Sequence, residues 1–296
     1  MATAHDLKTA LEADVAERSL NSLTAAYVIS QTGSPPVTRK KLEHELVKAF
    51  PLKVVLAHSA YMAGLSIKEK AALNFYQGAG FIAINTYLRT GQMTVEETSP
   101  SFSFQPTSPS TFKRALSHVY TKKARSHIKT VVNREFNAYK KLKRSISSLL
   151  HCIKNAPTIP ATFYVYRGEK NYRSLFALDD DEVQASKQKY QMSQLNLKEG
   201  DEYTSAGFNS FSLAPWVAYN FMENACCIYR LQMTPQMPYV VFEYHDGYKE
   251  YELLLAPSKF KVVKIWYAVS PLSSSIKLRV YDLEYVGPTV ASVKTR

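Results

Sequence analysis

The sequence of 296 residues has few cysteines and no recognisable set of metal ligands. Three cysteines, two of them adjacent at Cys226 and Cys227, cannot build the disulfide framework of a small secreted protein. Their spacing fits neither a redox pair nor a zinc site, and the seven histidines show no metal-binding spacing. We therefore expect a protein of a reducing compartment such as the cytoplasm, and we expect no metal.

The chain also lacks a long hydrophobic run. One long stretch without charge, residues 71–88, contains Asn74 and Gln77 among other polar residues, which makes it too polar to cross a bilayer. The first 25 residues carry charged side chains from Asp6 to Arg18, where a secretory signal would need an apolar centre. The sequence therefore predicts a soluble protein with no membrane span and no Sec-type signal peptide.

Acidic residues are scarce relative to basic ones. Subtracting 25 Asp and Glu from 37 Lys and Arg leaves +12, and eleven of the basic residues lie between Lys113 and Arg144 beside one acid, Glu135. Such a stretch is either the solvated face of an amphipathic helix or a docking surface for an acidic protein or nucleic acid. Because no RNA-binding signature, zinc knuckle or helix-turn-helix pattern accompanies it, sequence-specific recognition of nucleic acid is not expected.

The first half of the chain has helical periodicity. With 46% hydrophobic and 21% charged residues, the chain has enough apolar material for a large core. In residues 1–150 apolar residues recur every four positions, for example at Leu7, Leu11 and Val15. A Ser-x-x-Glu sequence at Ser66 is a capping box and predicts the start of a helix there. The Ser- and Pro-rich segment 98–111 predicts an exposed, mobile loop.

The second half has strand periodicity. Seven segments are rich in β-branched and aromatic residues, and several alternate apolar with polar residues, as strands with one buried face do. They are residues 163–167, 207–212, 227–231, 239–243, 250–255, 260–266 and 276–284. Helices followed by strands predict an α+β fold.

Three of these strands carry side chains suited to chemistry. They are Arg167, the pair Ser210 and Ser212, and the pair Glu250 and Glu252. Residues two apart on a strand face the same side, so each pair is expected to share a face. Two carboxylates in one cleft stabilise a reaction that builds positive charge, and the planar guanidinium of arginine suits a diphosphate.

Each motif has a plainer explanation when it is taken alone. A Glu-x-Glu pair on a strand is most often a solvated face, and Ser-x-Ser is less specific still. A Tyr-Arg-Gly sequence most often ends a strand with a surface arginine, and single aromatics such as Tyr76, Phe81 and Phe221 are most often core residues. The order of the motifs, their strand context and a matching helical segment upstream together favour one shared site.

In that order the motifs resemble the arginine-specific mono-ADP-ribosyltransferases of the Arg–Ser–Glu class, including bacterial ADP-ribosylating exoenzymes and tailed-phage enzymes. The resemblance runs from about residue 66 to residue 286. Its parts are Val165-Tyr-Arg-Gly168 for the first strand, residues 207–213 for the serine strand, 250–257 for the glutamate strand and 68–89 for the helical segment that covers the NAD site.

The resemblance implies both a fold and an activity. The fold would be ADP-ribosyltransferase-like, with N-terminal helices packed on two antiparallel-rich sheets around an NAD cleft. Residues 1–60 would form a helical extension and residues 61–290 the catalytic domain. The activity would be NAD-dependent transfer of ADP-ribose to an arginine of a protein target, with release of nicotinamide and with NAD consumed as co-substrate. An NAD glycohydrolase, or a non-catalytic basic binding module on the same fold, remains as an alternative.

The resemblance also implies roles for single residues. Arg167 would bind the NAD diphosphate and the backbone at Gly168 the nicotinamide amide. Glu252 would stabilise the oxocarbenium-like ribose and bind its 2′-hydroxyl, Ser210 would orient Glu252, and Glu250 would receive the acceptor arginine. The further cofactor-binding positions that it implies are Ser212, Phe221, Tyr76, Phe81 and Asn85.

Four positions depart from the family pattern. Phe211 stands where threonine is usual, and it should point away from the pocket because strand side chains alternate. Gly168 replaces the second arginine of the actin-modifying toxins, and Asn224 replaces an arginine that holds phosphate in some members. Gly247 replaces the usual aromatic residue of the substrate-recognition turn, which leaves the protein target unassigned.

Overall fold

The fold is α+β, as predicted, with helices in the first half of the chain and strands in the second. A computed structural model describes residues 3–30, 38–90, 93–94, 103–104, 125–169, 197–220, 227–242, 250–269 and 277–289. The helices are α1 (Ala4–Glu17), α2 (Leu20–Ser30), α3 (Arg39–Ala49), α4 (Leu52–Gly64), α5 (Ile67–Phe75), a π-helix (Tyr76–Gly80), α6 (Phe81–Thr90), α7 (Arg125–Asn155) and α8 (Pro215–Asn220). The strands are β1 (Met93–Thr94), β2 (Ser103–Phe104), β3 (Phe163–Glu169), β4 (Glu202–Ser205), β5 (Asn209–Ser212), β6 (Cys227–Met233), β7 (Tyr239–Val241), β8 (Glu252–Leu255), β9 (Ser258–Val269) and β10 (Lys277–Pro288).

The helix predicted at Ser66 is confirmed. The Ser66 hydroxyl accepts a hydrogen bond from the Glu69 amide, and the Glu69 carboxylate accepts one from the Ser66 amide, so the capping box is complete. Helix α5 then passes through the π-helical segment directly into α6. Single π turns within α-helices are rare and are frequent at functional sites.

The main sheet is continuous and has eight strands in the order β4-β9-β10-β6-β3-β5-β8-β7. Every neighbouring pair is antiparallel except β6 with β10. The prediction of two separate sheets is therefore corrected. Among the described residues, strands β3 and β5 pair through Tyr166 and Ser212 alone. This single pair joins two halves of the sheet, β4-β9-β10-β6-β3 on one side and β5-β8-β7 on the other.

All seven predicted strands are present, with shifted ends. Strand β4 was not predicted, and the two-residue strands β1 and β2 pair with one another. The Ser- and Pro-rich segment 98–111 lies outside the described residues except for Ser103 and Phe104, which form β2.

Helices cover both faces of the sheet. One hydrophobic cluster joins helices α1 to α4 with inward residues of the sheet such as Phe211 and Leu253, while a second joins α5 to α7 with the opposite face at Val240 and Leu254. Phe211 therefore points away from the face that carries its serine neighbours, as expected. The division of the chain near residue 60 stays a prediction.

Helix α7 contains the second part of the basic stretch. The helix runs over Arg125–Asn155, and residues 113–124 lie outside the described ranges. Its inner side packs through Leu142, Ile146 and Leu149. No helix in the described part of the chain has both the length and the hydropathy needed to cross a membrane.

Candidate active site

The three sequence motifs lie on adjacent strands. Strand β5 lies between β3 and β8, and its Ser212 pairs with Tyr166 on one side and with Glu252 on the other. Because paired residues in an antiparallel ladder project to the same face, Ser212 and Glu252 share a face, and so does Ser210, two residues earlier. Arg167 follows Tyr166 on β3, so the arginine, serine and glutamate motifs come together beside the single pair that joins β3 to β5.

Hydrogen bonds connect the three motifs. The Ser210 hydroxyl is hydrogen-bonded to the Glu252 carboxylate, and the Gln77 side chain from the π-helix reaches the same carboxylate. On the other side of Ser210, one Arg167 Nη donates to the Ser210 carbonyl oxygen at 3.3 Å. A carboxylate and a guanidinium are thus held around one serine.

The electrostatics of Glu252 are unusual. The pKa of its carboxyl group is raised to about 7, mainly by burial and also by the nearby charge of Glu250, while hydrogen bonds from Ser210 and Gln77 and the charge of Arg167 act in the opposite direction. Glu250 itself is exposed, yet partial desolvation of its carboxyl group also raises its pKa. Two neighbouring carboxyl groups with raised pKa values are typical of functional sites.

The helical segment above the strands reaches the site through a chain of hydrogen bonds. The Asn85 amide donates to the Tyr76 hydroxyl at 3.4 Å, and the Tyr76 hydroxyl lies 3.3 Å from Ser210 Oγ. Tyr76 is 2% exposed and burial raises its pKa to about 12, so it remains a protonated donor at neutral pH. Phe81 differs from them because its side chain is 46% exposed, and its ring lies 6.5 Å from that of Tyr76.

Two glycines allow this segment to approach the strands closely. A Cβ on Gly80 would lie 2.2 Å from the carbonyl oxygen of Phe75, so only glycine fits the end of the π-helix. A Cβ on Gly207 would lie 2.8 Å from Asn85 Oδ1, the atom that accepts a hydrogen bond from the Phe208 amide at 2.8 Å. The absence of a side chain at Gly207 therefore allows Asn85 to connect helix α6 to the residues that precede strand β5.

The two glutamates do not lie on one strand, and the prediction of a strand starting at Glu250 is wrong. Strand β8 begins at Glu252, because Tyr251 has φ +47°, a left-handed conformation that interrupts a β ladder. Glu250 precedes this turn. It is held by its carbonyl oxygen, which accepts a hydrogen bond from Ser212 Oγ at 2.6 Å.

The Ser212 hydroxyl is hydrogen-bonded to backbone groups on both sides. Besides donating to Glu250, its hydroxyl oxygen accepts from the Ala214 amide at 3.0 Å, and the side chain is buried. The structure thus places Ser212 beneath the glutamates, while Ser210 contacts a carboxylate.

Some predicted residues lie outside the described ranges. Phe221, Asn224 and Gly247 belong to this group, together with the first part of the basic stretch. Gln77, in contrast, was missed by the sequence reasoning. The glycines that follow it within a helical pattern, Gly78 and Gly80, are the signal that marks an irregular helix there.

No group of three His, Cys, Asp or Glu side chains that could hold a metal ion comes together within the described ranges. The chemistry available at the site consists of one arginine, two glutamates, a buried hydroxyl chain and an exposed aromatic ring.

Comparison with known proteins gives structural relatives only. No protein-family model and no curated protein sequence matches the chain. The structure is similar to the enzymatic component C2-I of the C2 toxin from Clostridium botulinum, with a TM-score of 0.50, 19% identity, and coverage of 81% of this chain and 48% of the toxin chain. It is equally similar to BECa, an ADP-ribosylating toxin of a binary enterotoxin from C. perfringens determined with NADH, with the same score, identity and coverage.

The chain thus spans about half the length of these two toxin components. The similarity covers 81% of this chain, and the predicted resemblance is confirmed for the fold. The chain has the ADP-ribosyltransferase fold.

Proposed function

We propose that this protein is an NAD-dependent mono-ADP-ribosyltransferase that modifies an arginine side chain of a protein target and releases nicotinamide. The observation that carries the proposal is the contact of Ser210 with Glu252 beside Arg167, on three neighbouring strands, with Glu250 directly before the last of them. The fold of the chain and the presence of NADH in the BECa structure support NAD as the co-substrate.

The residues present fit a dinucleotide. Arg167 is half-buried, and one of its nitrogens donates to the Ser210 carbonyl oxygen. Its planar guanidinium is the type of group that binds a diphosphate through two hydrogen bonds. The exposed ring of Phe81 offers an apolar surface for a nicotinamide or adenine ring. Tyr76 and Asn85 are buried and hydrogen-bonded to one another, and the Tyr76 hydroxyl contacts Ser210 Oγ. Their contribution is therefore to hold the Ser210 side chain in place.

Glu252 is suited to stabilising the positive charge that builds on the ribose as the bond to nicotinamide breaks. An anion placed where positive charge develops, in a site partly closed to water, lowers the barrier more than the same anion in bulk solvent. Ser210 and Gln77 fix the direction of this carboxylate before the reaction begins.

Glu250 is suited to the acceptor. A guanidinium with a pKa above about 12 is a poor nucleophile until a carboxylate orients it and accepts a proton as the new bond forms. Glu250 is exposed beside the site, and its raised pKa makes it a better proton acceptor than an ordinary surface glutamate.

The first experiment is incubation of the protein with labelled NAD and a cell lysate, followed by mass spectrometry of the modified residue. We expect labelled arginine and free nicotinamide. Free nicotinamide without transferred label would indicate an NAD glycohydrolase instead. The absence of both would indicate a non-catalytic binding module, for which the basic stretch from Lys113 to Arg144 would be the candidate docking surface for an acidic partner.

A pair of matched variants then separates the two glutamates. Glu250→Gln is expected to keep NAD hydrolysis and to reduce transfer to arginine by about 10²-fold or more, the usual effect of removing a general base. Glu252→Gln is expected to abolish both reactions. Equal losses in the two variants would contradict this division of roles.

A further inference from the structure

A buried carboxylate connects the first helix to the peptide that carries both glutamates. Asp14 on α1 is 1% exposed, and its Oδ1 accepts a hydrogen bond from Arg18 at 2.6 Å. Its Oδ2 accepts from Trp216 Nε1 at 3.1 Å and from the Tyr251 hydroxyl at 3.3 Å. A buried carboxylate is costly unless it is bonded in this way. Asp14 therefore holds α1, α8 and the Glu-Tyr-Glu peptide together.

Tyr251 is the part of that peptide which points away from the site. Its ring lies 5.0 Å from the ring of Phe50 and 6.2 Å from that of Trp216, both in edge-on geometry, within the cluster formed by the N-terminal helices. It is also the only residue other than glycine with positive φ in the described part of the chain. Such a conformation persists when the surroundings hold it in place.

The backbone of the Glu-Tyr-Glu peptide is bonded at each carbonyl oxygen. Ser212 Oγ donates to the oxygen of Glu250 at 2.6 Å, the Leu213 amide to that of Tyr251 at 3.0 Å, and the Phe242 amide to that of Glu252 at 2.8 Å. These bonds hold the backbone of all three residues, on both sides of the left-handed conformation at Tyr251. The direction in which the turn presents Glu250 therefore depends on where Tyr251 is anchored.

The two glutamates depend on this anchor to different extents. Glu252 begins strand β8, pairs with Ser212, and has its carboxylate held by Ser210 and Gln77. Glu250 lies outside the strand and is exposed. A small movement at the Tyr251 turn would therefore displace Glu250 much more than Glu252.

We propose that Asp14 and Tyr251 are positioning residues that set the place of Glu250 relative to Glu252, which makes helix α1 a part of the transferase machinery. The inference rests on the proposed function, because it assigns the acceptor step to Glu250. The Asp14–Tyr251 hydrogen bond then controls the share of NAD turnovers that end in transfer to arginine. Turnovers in which Glu250 is misplaced end in hydrolysis.

The test is the ratio of transfer to hydrolysis in Tyr251→Phe, which removes the donor, and in Asp14→Ala, which removes the acceptor. Tyr251→Phe removes only the hydroxyl and keeps the ring between Phe50 and Trp216. The matched control is Tyr239→Phe, in the same hydrophobic cluster, whose hydroxyl is buried and has no hydrogen-bond partner among the described residues. Labelled NAD with lysate as the source of acceptors measures transfer, and nicotinamide release without lysate measures hydrolysis.

We expect both variants to lower the ratio about tenfold, since misplacement of a reacting group by about 1 Å costs up to 10²-fold in rate. The control should keep the wild-type ratio. Partial unfolding would lower both activities together and leave the ratio unchanged, so the ratio separates positioning from stability.

A wild-type ratio in Tyr251→Phe or in Asp14→Ala overturns the inference and leaves the proposed function intact. A wild-type protein that neither transfers label nor releases nicotinamide overturns the proposed function itself.

Discussion

The raised pKa of Glu252 predicts how activity depends on pH. Burial raises the pKa of this carboxyl group to about 7, so the anion that stabilises the ribose cation forms only as pH rises through that value. The rate of nicotinamide release, measured as kcat/KM, should therefore fall off on the acid side with a midpoint near pH 7. An ordinary glutamate would give a midpoint near pH 4 to 5.

Removing the Ser210 hydroxyl should shift that midpoint. The hydrogen bond from Ser210 lowers the pKa of Glu252, so Ser210→Ala raises it, and the acid limb moves to higher pH. A hydrogen bond to a charged group contributes about 1.5–3 kcal/mol, and a pKa change of one corresponds to about 1.4 kcal/mol. Because Gln77 and Arg167 still act on the carboxylate, we expect the lower end of that range, a shift of about one pH unit.

The assay is nicotinamide release from about pH 5 to pH 9 for wild type, Ser210→Ala and a control. Ser258→Ala is a matched control, since Ser258 is also buried and its hydroxyl donates to the Ala256 carbonyl at 2.7 Å. The control should keep the wild-type midpoint. A wild-type midpoint below pH 5 would refute the effect of burial on Glu252, and coincident limbs in wild type and Ser210→Ala would refute the role of the hydroxyl.

The same shift has a consequence for stability with a defined sign. A carboxyl group whose pKa is higher in the folded than in the unfolded state stabilises the fold at pH values below its unfolded pKa. That contribution is lost as pH rises through the folded value of about 7. Glu252→Gln should therefore unfold at a higher temperature than wild type above pH 7, while below pH 4 the two proteins should be similar.

Two further variants test other contacts. Arg167→Ala is expected to weaken NAD binding, measured by calorimetry, about tenfold to a hundredfold. This corresponds to the loss of a charge-assisted hydrogen bond of about 1.5–3 kcal/mol. Unchanged affinity would count against the diphosphate role. Gly207→Ala places a methyl group 2.8 Å from Asn85 Oδ1 and should lower the free energy of unfolding in urea by about 1–3 kcal/mol. Gly64→Ala, where a Cβ meets nothing within 4 Å, should be neutral or slightly stabilising, and equal effects at the two glycines would contradict the close approach.

Features set by local chemistry could be predicted from the sequence. The capping box at Ser66 depends only on residues within one turn, and the strands follow from patterns within five to nine residues. The alternation at Ser210 also put Phe211 on the opposite face correctly. These signals are short in sequence, so no knowledge of distant partners is needed to use them.

Features set by distant partners could not be predicted. The alternation that placed the serines failed for Glu250, because Tyr251 adopts a left-handed backbone that depends on Asp14, Phe50 and Trp216. Nothing in the local sequence distinguishes Asp14 from the other charged residues between Asp6 and Arg18. Its burial depends on pairing with residues that are about 200 positions away.

The place of the site in the sheet explains why three separate motifs are needed. Strands β3 and β5 share one pair, Tyr166 with Ser212, and the ladder does not extend beyond it in the described residues. Strands that part after one pair leave the residues beyond it without a neighbour on the next strand, and the proposed function places the substrate there, beside Arg167 and Ser210. A continuous ladder at this position would fill that space with cross-strand contacts. The polar motifs are therefore found where the two halves of the sheet join.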